Sequence, residues 1–218
     1  MLKDKLTELK AKLIEYATLV ESMLSKSMQG LLQKNEALLK ETIEQDERRA
    51  NDFDSDLEEM CTTIIAQYEP LAMDLRITLM ILKMNNDLER MADHAVNICE
   101  SGLFLISRPV LDLQSVENLR LMADTATSML KDSINALISD NASLARSVCD
   151  RDSVVDELGD KILKELIALI HDKQDGIKRA LHLMRISQNI ERVADLSTNI
   201  CEEVVYIVEG VNIKHHKG

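Results

Sequence analysis

The stretch "ERMADHAVNICE", Glu89–Glu100, returns near the end of the chain as "ERVADLSTNICE", Glu191–Glu202. Eight of the twelve letters are identical: Glu, Arg, Ala, Asp, Asn, Ile, Cys and the closing Glu. A repeat kept for packing alone would hold its apolar letters and let the charged ones drift. Here the acid, the acid four residues on and the amide four further on are kept with the core.

On a helix, this spacing has a definite meaning. With Leu88 at the centre of an apolar stripe, Met84, Met91, Ala92, Ala95, Ile98 and Cys99 gather around it at 100° per residue. Glu89, Asp93 and Asn97 then rise one above another along the border of that stripe. Ile190 gives the same picture, with Glu191, Asp195 and Asn199 on the border. Like charges at i and i+4 repel by ~0.2–0.5 kcal/mol on an exposed helix, and more beside a buried edge.

Working outward, the totals agree with a helical protein. The 218 residues are 45% hydrophobic but only 2% aromatic, without Trp, so Leu, Ile, Val, Met and Ala must form the core. Six Gly and two Pro leave little turn chemistry for hairpins. The fold class expected is all-α. Punctuation divides the near-continuous heptad-like pattern into helices over about 3–34, 35–68, 70–108, 115–138, 141–171 and 175–209. Pro70 is placed in the first turn of the third helix. The plan is two tandem three-helix bundles, residues 1–109 and 110–218, related by a pseudo-twofold.

The helix before each repeated stretch carries its own acids. "DRDSVVDELGD" places Asp152, Asp156 and Asp160 beside the Val155, Ile162 and Leu166 stripe. In the first half, Glu47, Asn51, Asp54 and Glu58 border the Phe53, Leu57 and Ile64 stripe. Facing rows of this kind bring several oxygen ligands together, as a hard or borderline cation requires. A solvated acidic edge on a metal-free helical scaffold is the competing reading. A carboxylate-bridged metalloenzyme is weakened: di-iron bundles use Glu-x-x-His, and none of the five histidines has a Glu three residues before it. His94 falls on the opposite side of its helix from Glu89, and His215 and His216 belong to a tail.

The net charge of −12 argues against nucleic acid and against adsorption to an anionic membrane. No window approaches a transmembrane span, and the N-terminus lacks a signal peptide's apolar centre, so a cytoplasmic protein is expected. Cys61, Cys99, Cys149 and Cys201 have no Cys-x-x-Cys spacing and read as small buried thiols. In "EPLAMDLR", Asp74 suits a helix start; Arg76 reads either as its local salt-bridge partner or as a tie between the first acidic helix and the third. No glycine-rich anion loop is present, which disfavours direct phosphate binding.

"EPLAMDLR", "LERMADHAVNIC" and "IERVADLSTNICEEVVYIVEG" resemble the recurring text of the PhoU family, phosphate-specific transport system accessory proteins, and the resemblance runs the length of the chain. It implies two similar three-helix bundles and a regulator rather than an enzyme. It also implies restraint of phosphate uptake and of the phosphate-starvation response, by linking the phosphate ABC transporter ATPase to a sensor histidine kinase, and a homodimer. Some members hold multinuclear iron or zinc clusters on E(D)-x-x-x-D motifs. Carried over residue by residue, the metal-site motifs are Glu89 with Asp93, Glu191 with Asp195, Asp152 with Asp156, and Glu47 with Asn51, where an amide replaces the last carboxylate.

Overall fold

The computed structural model describes residues 1–107, 113–170 and 174–213, and among these every regular element is helical. The first half holds α1 (Leu2–Leu32), α2 (Glu36–Glu41), a π-helical turn (Thr42–Asp46), α3 (Glu47–Tyr68) and α4 (Met73–Ile106). The second holds α5 (Leu113–Ile138), α6 (Ala142–Cys149), α7 (Asp152–Ile170) and α8 (Gln174–Glu209). The expected division at Pro109 and the expected helix end at His171 lie outside the described residues, as do His215 and His216.

The same turn opens the second helix of each half. Lys34 and Asp140 adopt left-handed backbone, φ 53° and 47°. Asn35 N–H donates to the Gly30 carbonyl at 2.8 Å, and Asn141 N–H to the Ala136 carbonyl at 2.9 Å, closing the preceding helix. Each Asn side chain then caps the next helix by accepting from Leu38 or Leu144 N–H.

Two expectations are corrected. The second helix of the first half runs unbroken over 36–68 but through an unexpected π turn, and that of the second half breaks at Asp150–Arg151 before α7. Nor does Pro70 sit in a first turn. Glu69 (φ 45°) and Ala72 (φ 46°) are both left-handed, and a proline disfavours helical backbone in the residue before it. The third helix therefore starts at Met73, with Asp74 in its first turn.

Two helices meet their own equivalents across the halves, α1 against α5 and α4 against α8, as expected of elements lying on a pseudo-twofold axis. These four helices form a ring, α3 packs outside α1 and α4, and α7 outside α5 and α8. One apolar core runs through both bundles, from Leu9, Leu13 and Leu88 to Ile162, Ile190 and Val204. Among the described residues Arg76 makes neither contact anticipated for it. Its guanidinium lies 5.1 Å from the Tyr206 ring centroid and Nη1 donates to the Tyr206 carbonyl at 3.5 Å, at the negative end of α8. Gly210, left-handed at φ 72°, leaves room there: a Cβ would stand 3.2 Å from Arg76 Nη1.

Candidate functional site

Both repeated stretches put their first acid half-buried against the preceding long helix of the same half. In the second half Glu191 is the focus. Its carboxyl is raised above the usual range by burial first, then by Asp156, Asp195 and Asp152, with Arg192 opposing. An ideal Cβ on Gly159 of α7 would lie 3.3 Å from Glu191 Oε2, so the glutamate leans onto α7 where that helix has no side chain. Asp152 and Asp195 also border an open cleft of about 380 Å³ into which Arg90 of the first half and Arg192 reach.

The first half repeats the arrangement with a different cast. Glu89 is raised by burial, then by Asp93 and Asp54, with Arg90 opposing. Asp54 is itself raised by burial and by Glu58, against a hydrogen bond from Asn85 Nδ2 to its Oδ1 at 2.6 Å. Glu47 is half-buried and Asn51 exposed, and neither is among the groups acting on Glu89. The carboxylate that closes on Glu89 from α3 is Asp54, two turns along from Glu47.

Two groups escaped the sequence reading. Tyr16 of α1 is fully buried and stacks on Phe53 with centroids 5.5 Å apart; its hydroxyl has no hydrogen-bond partner among the described residues. Burial first, then Asp54, Glu89 and Asp93, push its ionisation far up. Asn85 is the other, and its Oδ1 is likewise buried without a partner. In the sequence each is only a polar group on an otherwise apolar stripe, and nothing there ties Tyr16 of α1 to the acids of α3 and α4.

The third rung of the first ladder does different work. Asn97 Oδ1 accepts from Arg185 Nη2 at 2.5 Å, and the same nitrogen reaches Glu100 at 3.3 Å, so this rung ties α4 to α8. His94 does the same: its Nδ1 lies 2.8 Å from Asn189 Oδ1, and burial holds its pKa below the ordinary value. With the amide oxygen as acceptor, the neutral ring donates. Cys61, Cys99 and Cys201 are buried as expected, whereas Cys149 is half-exposed on the cleft beside Asp152.

The acids fit a cation in chemistry and charge: all-oxygen donors, half-buried and mutually repelling. They are spread wider than one coordination sphere. Among the described residues no three His, Cys, Asp or Glu side chains stand close enough together to grip a single ion.

A PhoU domain model matches residues 13–102 and again residues 119–204, once in each half. The chain belongs to the PhoU family. A relative from Aquifex aeolicus, a "Phosphate-specific transport system accessory protein PhoU homolog", is 35% identical over 211 residues, covering 97% of this chain and 94% of its own. Another, from Thermotoga maritima, is 32% identical over 96% of this chain and 90% of its own. Among solved structures, PhoU from Pseudomonas aeruginosa superposes with a TM-score of 0.92 at 25% identity, covering 97% of this chain and all of that one. The "phosphate transport system regulatory protein PhoU" from Streptococcus pneumoniae gives 0.89 at 30% identity, covering 97% and 99%. The PhoU-like plan of two all-helical bundles therefore holds over the whole described chain.

Proposed function

We propose that the chain is a non-enzymatic regulator of phosphate homeostasis. It restrains phosphate uptake and the phosphate-starvation two-component response by linking the phosphate ABC transporter ATPase to a sensor histidine kinase. The observation that carries this reading is similarity along nearly the full chain to proteins named as accessory to the phosphate-specific transport system. A long body of net charge −12 with no helix apolar enough to cross a membrane among its described residues suits docking of basic protein surfaces. The reading places it in the cytoplasm and as a homodimer. A strain lacking the chain should express phosphate-starvation genes in rich medium, and the parent gene should silence them again. Continued repression in the deletion strain would refute the reading.

The same proposal assigns multinuclear iron or zinc to the acidic faces, with Asp152, Asp156, Glu191 and Asp195 in one and Glu47, Asn51, Glu89 and Asp93 in the other. Plasma mass spectrometry of untagged protein should find several ions per chain, lost when Glu89, Asp93, Glu191 and Asp195 become Gln and Asn. A second reading, a metal-free scaffold, draws support from the wide spacing of these acids. It predicts metal-free protein that still binds the transporter ATPase.

A further inference from the structure

Cys149 ends α6 and Cys201 sits on α8, and these helices pack together. The cleft that Cys149 lines also carries Thr198 and Glu202, which flank Cys201 along α8, and each thiol acts on the other's ionisation. Their settings differ: Cys201 is fully buried, while Cys149 is half-exposed on the cleft that Arg90 and Arg192 reach into. One sulfur is open to small solutes and the other waits behind it.

We propose that Cys149 and Cys201 form a reversible dithiol–disulfide site that responds to hydrogen peroxide, with Cys149 the attacking sulfur and Cys201 the resolving one. Cys149 thiolate attacks the peroxide; the S–O bond forms, the O–O bond breaks, and hydroxide leaves as water after taking up a proton. The Cys201 sulfur then attacks the sulfenic sulfur; the S–S bond forms, the S–O bond breaks, and the second oxygen departs as water with the Cys201 proton. Two thiols lose two electrons in all and one peroxide becomes two waters.

The direction of attack has a physical cause. The neighbouring Cys201 thiol lowers the pKa of Cys149, against the burial and nearby acids that work the other way there, while Cys149 and burial together raise that of Cys201. The other two cysteines are built as controls. Cys61 donates to the Thr78 carbonyl at 3.7 Å and burial pushes it up to about 11. Cys99 is pushed by burial to about 12 and faces the Thr42 hydroxyl, with no second thiol beside it. The Cys99 position in the repeat thus meets a hydroxyl, and the matching Cys201 meets a thiol. A disulfide here would pin the end of α6 to α8 beside Asp152, whether or not a cation is bound.

The test exposes native full-length protein to peroxide, blocks remaining thiols by alkylation, and reads intact mass and tryptic peptides. The expected product is lighter by about 2 Da before alkylation, the mass of two hydrogens lost on disulfide formation, and takes up two alkyl groups where denatured, reduced protein takes up four. The peptide Ser147–Arg151 should be joined to the one beginning at Val193, and dithiothreitol should separate them. Circular dichroism should show the helices intact. Cys149→Ser should abolish the link. Cys201→Ser should leave Cys149 as a sulfenic acid that dimedone captures, while Cys61→Ser and Cys99→Ser leave the link unchanged. Cys149 driven to sulfinic acid without a link, a link through Cys61 or Cys99, or a link formed only after unfolding would overturn the proposal.

Discussion

Where α1 meets the start of α3, the first half sets Lys26 against Asp46; where α5 meets the start of α7, the second sets Asp132 against Arg151. Counted from the shared Asn35 and Asn141 caps and from the starts of α3 and α7, these are the same two positions with acid and base exchanged. Volume is exchanged in the same way. Leu39 in the first half lies against Gly30 and Gly102, whose added Cβ atoms would stand 2.5 and 3.2 Å from it. The matching residues of the second half are Ala145, Ala136 and Val204, all buried. The acids follow suit: Asn51 stands where Asp156 does, and a carboxylate reappears at Asp54, where the second half has Gly159. What the halves share is a charge sum and a filled volume, more than any single residue.

The largest effect should come from breaking the volume exchange. Leu39→Ala removes a fully buried side chain and should cost about 2–5 kcal/mol by urea unfolding. Gly30→Ala alone should also destabilise, because its Cβ has no room beside Leu39 Cδ2. Combining Leu39→Ala with Gly30→Ala and Gly102→Val copies the second half. It should recover most of the loss, and strictly additive costs would show that the two cavities are not equivalent.

The charge exchange should be less costly to break, and unequally so. The Asp46 side chain is 3% exposed and Lys26 Nζ lies 2.8 Å from it, with Arg49 at 3.4 Å. Lys26→Met leaves a buried carboxylate with only the longer, exposed Arg49 contact, and a cost of about 3 kcal/mol is expected. Asp132 and Arg151 are both 32% exposed at 2.7 Å. Asp132→Asn should cost under ~1 kcal/mol at physiological salt. Equal losses in the two variants would mean that burial does not separate the pairs.

The repeat itself explains how much the sequence disclosed. Helical periodicity and the duplicated Glu89 and Glu191 segments set the all-helical, two-bundle plan and the border position of the acids, because those follow from local geometry. The π turn was hidden. It adds one residue between the starts of α2 and α3 relative to the matching second-half segment, and inserting one residue leaves an apolar pattern nearly intact. Pro70 misled for a related reason: a proline marks a boundary within a few residues, and the left-handed Glu69 and Ala72 decide on which side the helix begins. Tyr16 and Asn85 were illegible as site residues because they reach the acids from α1 and from one turn earlier in α4, which only packing reveals.

Tyr16 sharpens the comparison at a smaller scale, since Met122 holds the matching place in the second half and is equally buried. A buried hydroxyl without a partner is a standing penalty. In chelator-treated protein, Tyr16→Phe should raise stability by about 1 kcal/mol, the size of an unmet hydrogen bond. Loss of stability instead would show that the hydroxyl has a partner in solution, and a lower metal content of the variant purified without chelator would place that partner in the acidic face.

The smallest effects concern Glu89 and Glu191, and their sign is informative. Both carboxyls are raised in the folded state above the ordinary 4.5, by burial first and neighbouring acids second. A raised carboxyl contributes stability that is complete below its unfolded value and is lost as pH rises through its folded value. In chelated protein at neutral pH, Glu89→Gln and Glu191→Gln should therefore each be more stable than the parent, by roughly 0.2–0.5 kcal/mol per like-charge neighbour relieved. Near pH 4 the advantage should vanish, because the parent carboxyl is then protonated in both states. His94 pulls the parent the other way as pH falls below 6.5, but it is common to every variant and cancels in the difference. Glu191 faces Asp152, Asp156 and Asp195 while Glu89 faces Asp54 and Asp93, so the gain should be larger in the second half. Adding iron or zinc should reverse the order, because only the parent can convert its repulsion into ligation. A Gln variant less stable than the parent in chelator at neutral pH would mean that a protein cation, with Arg90 and Arg192 the nearest candidates, already neutralises these acids.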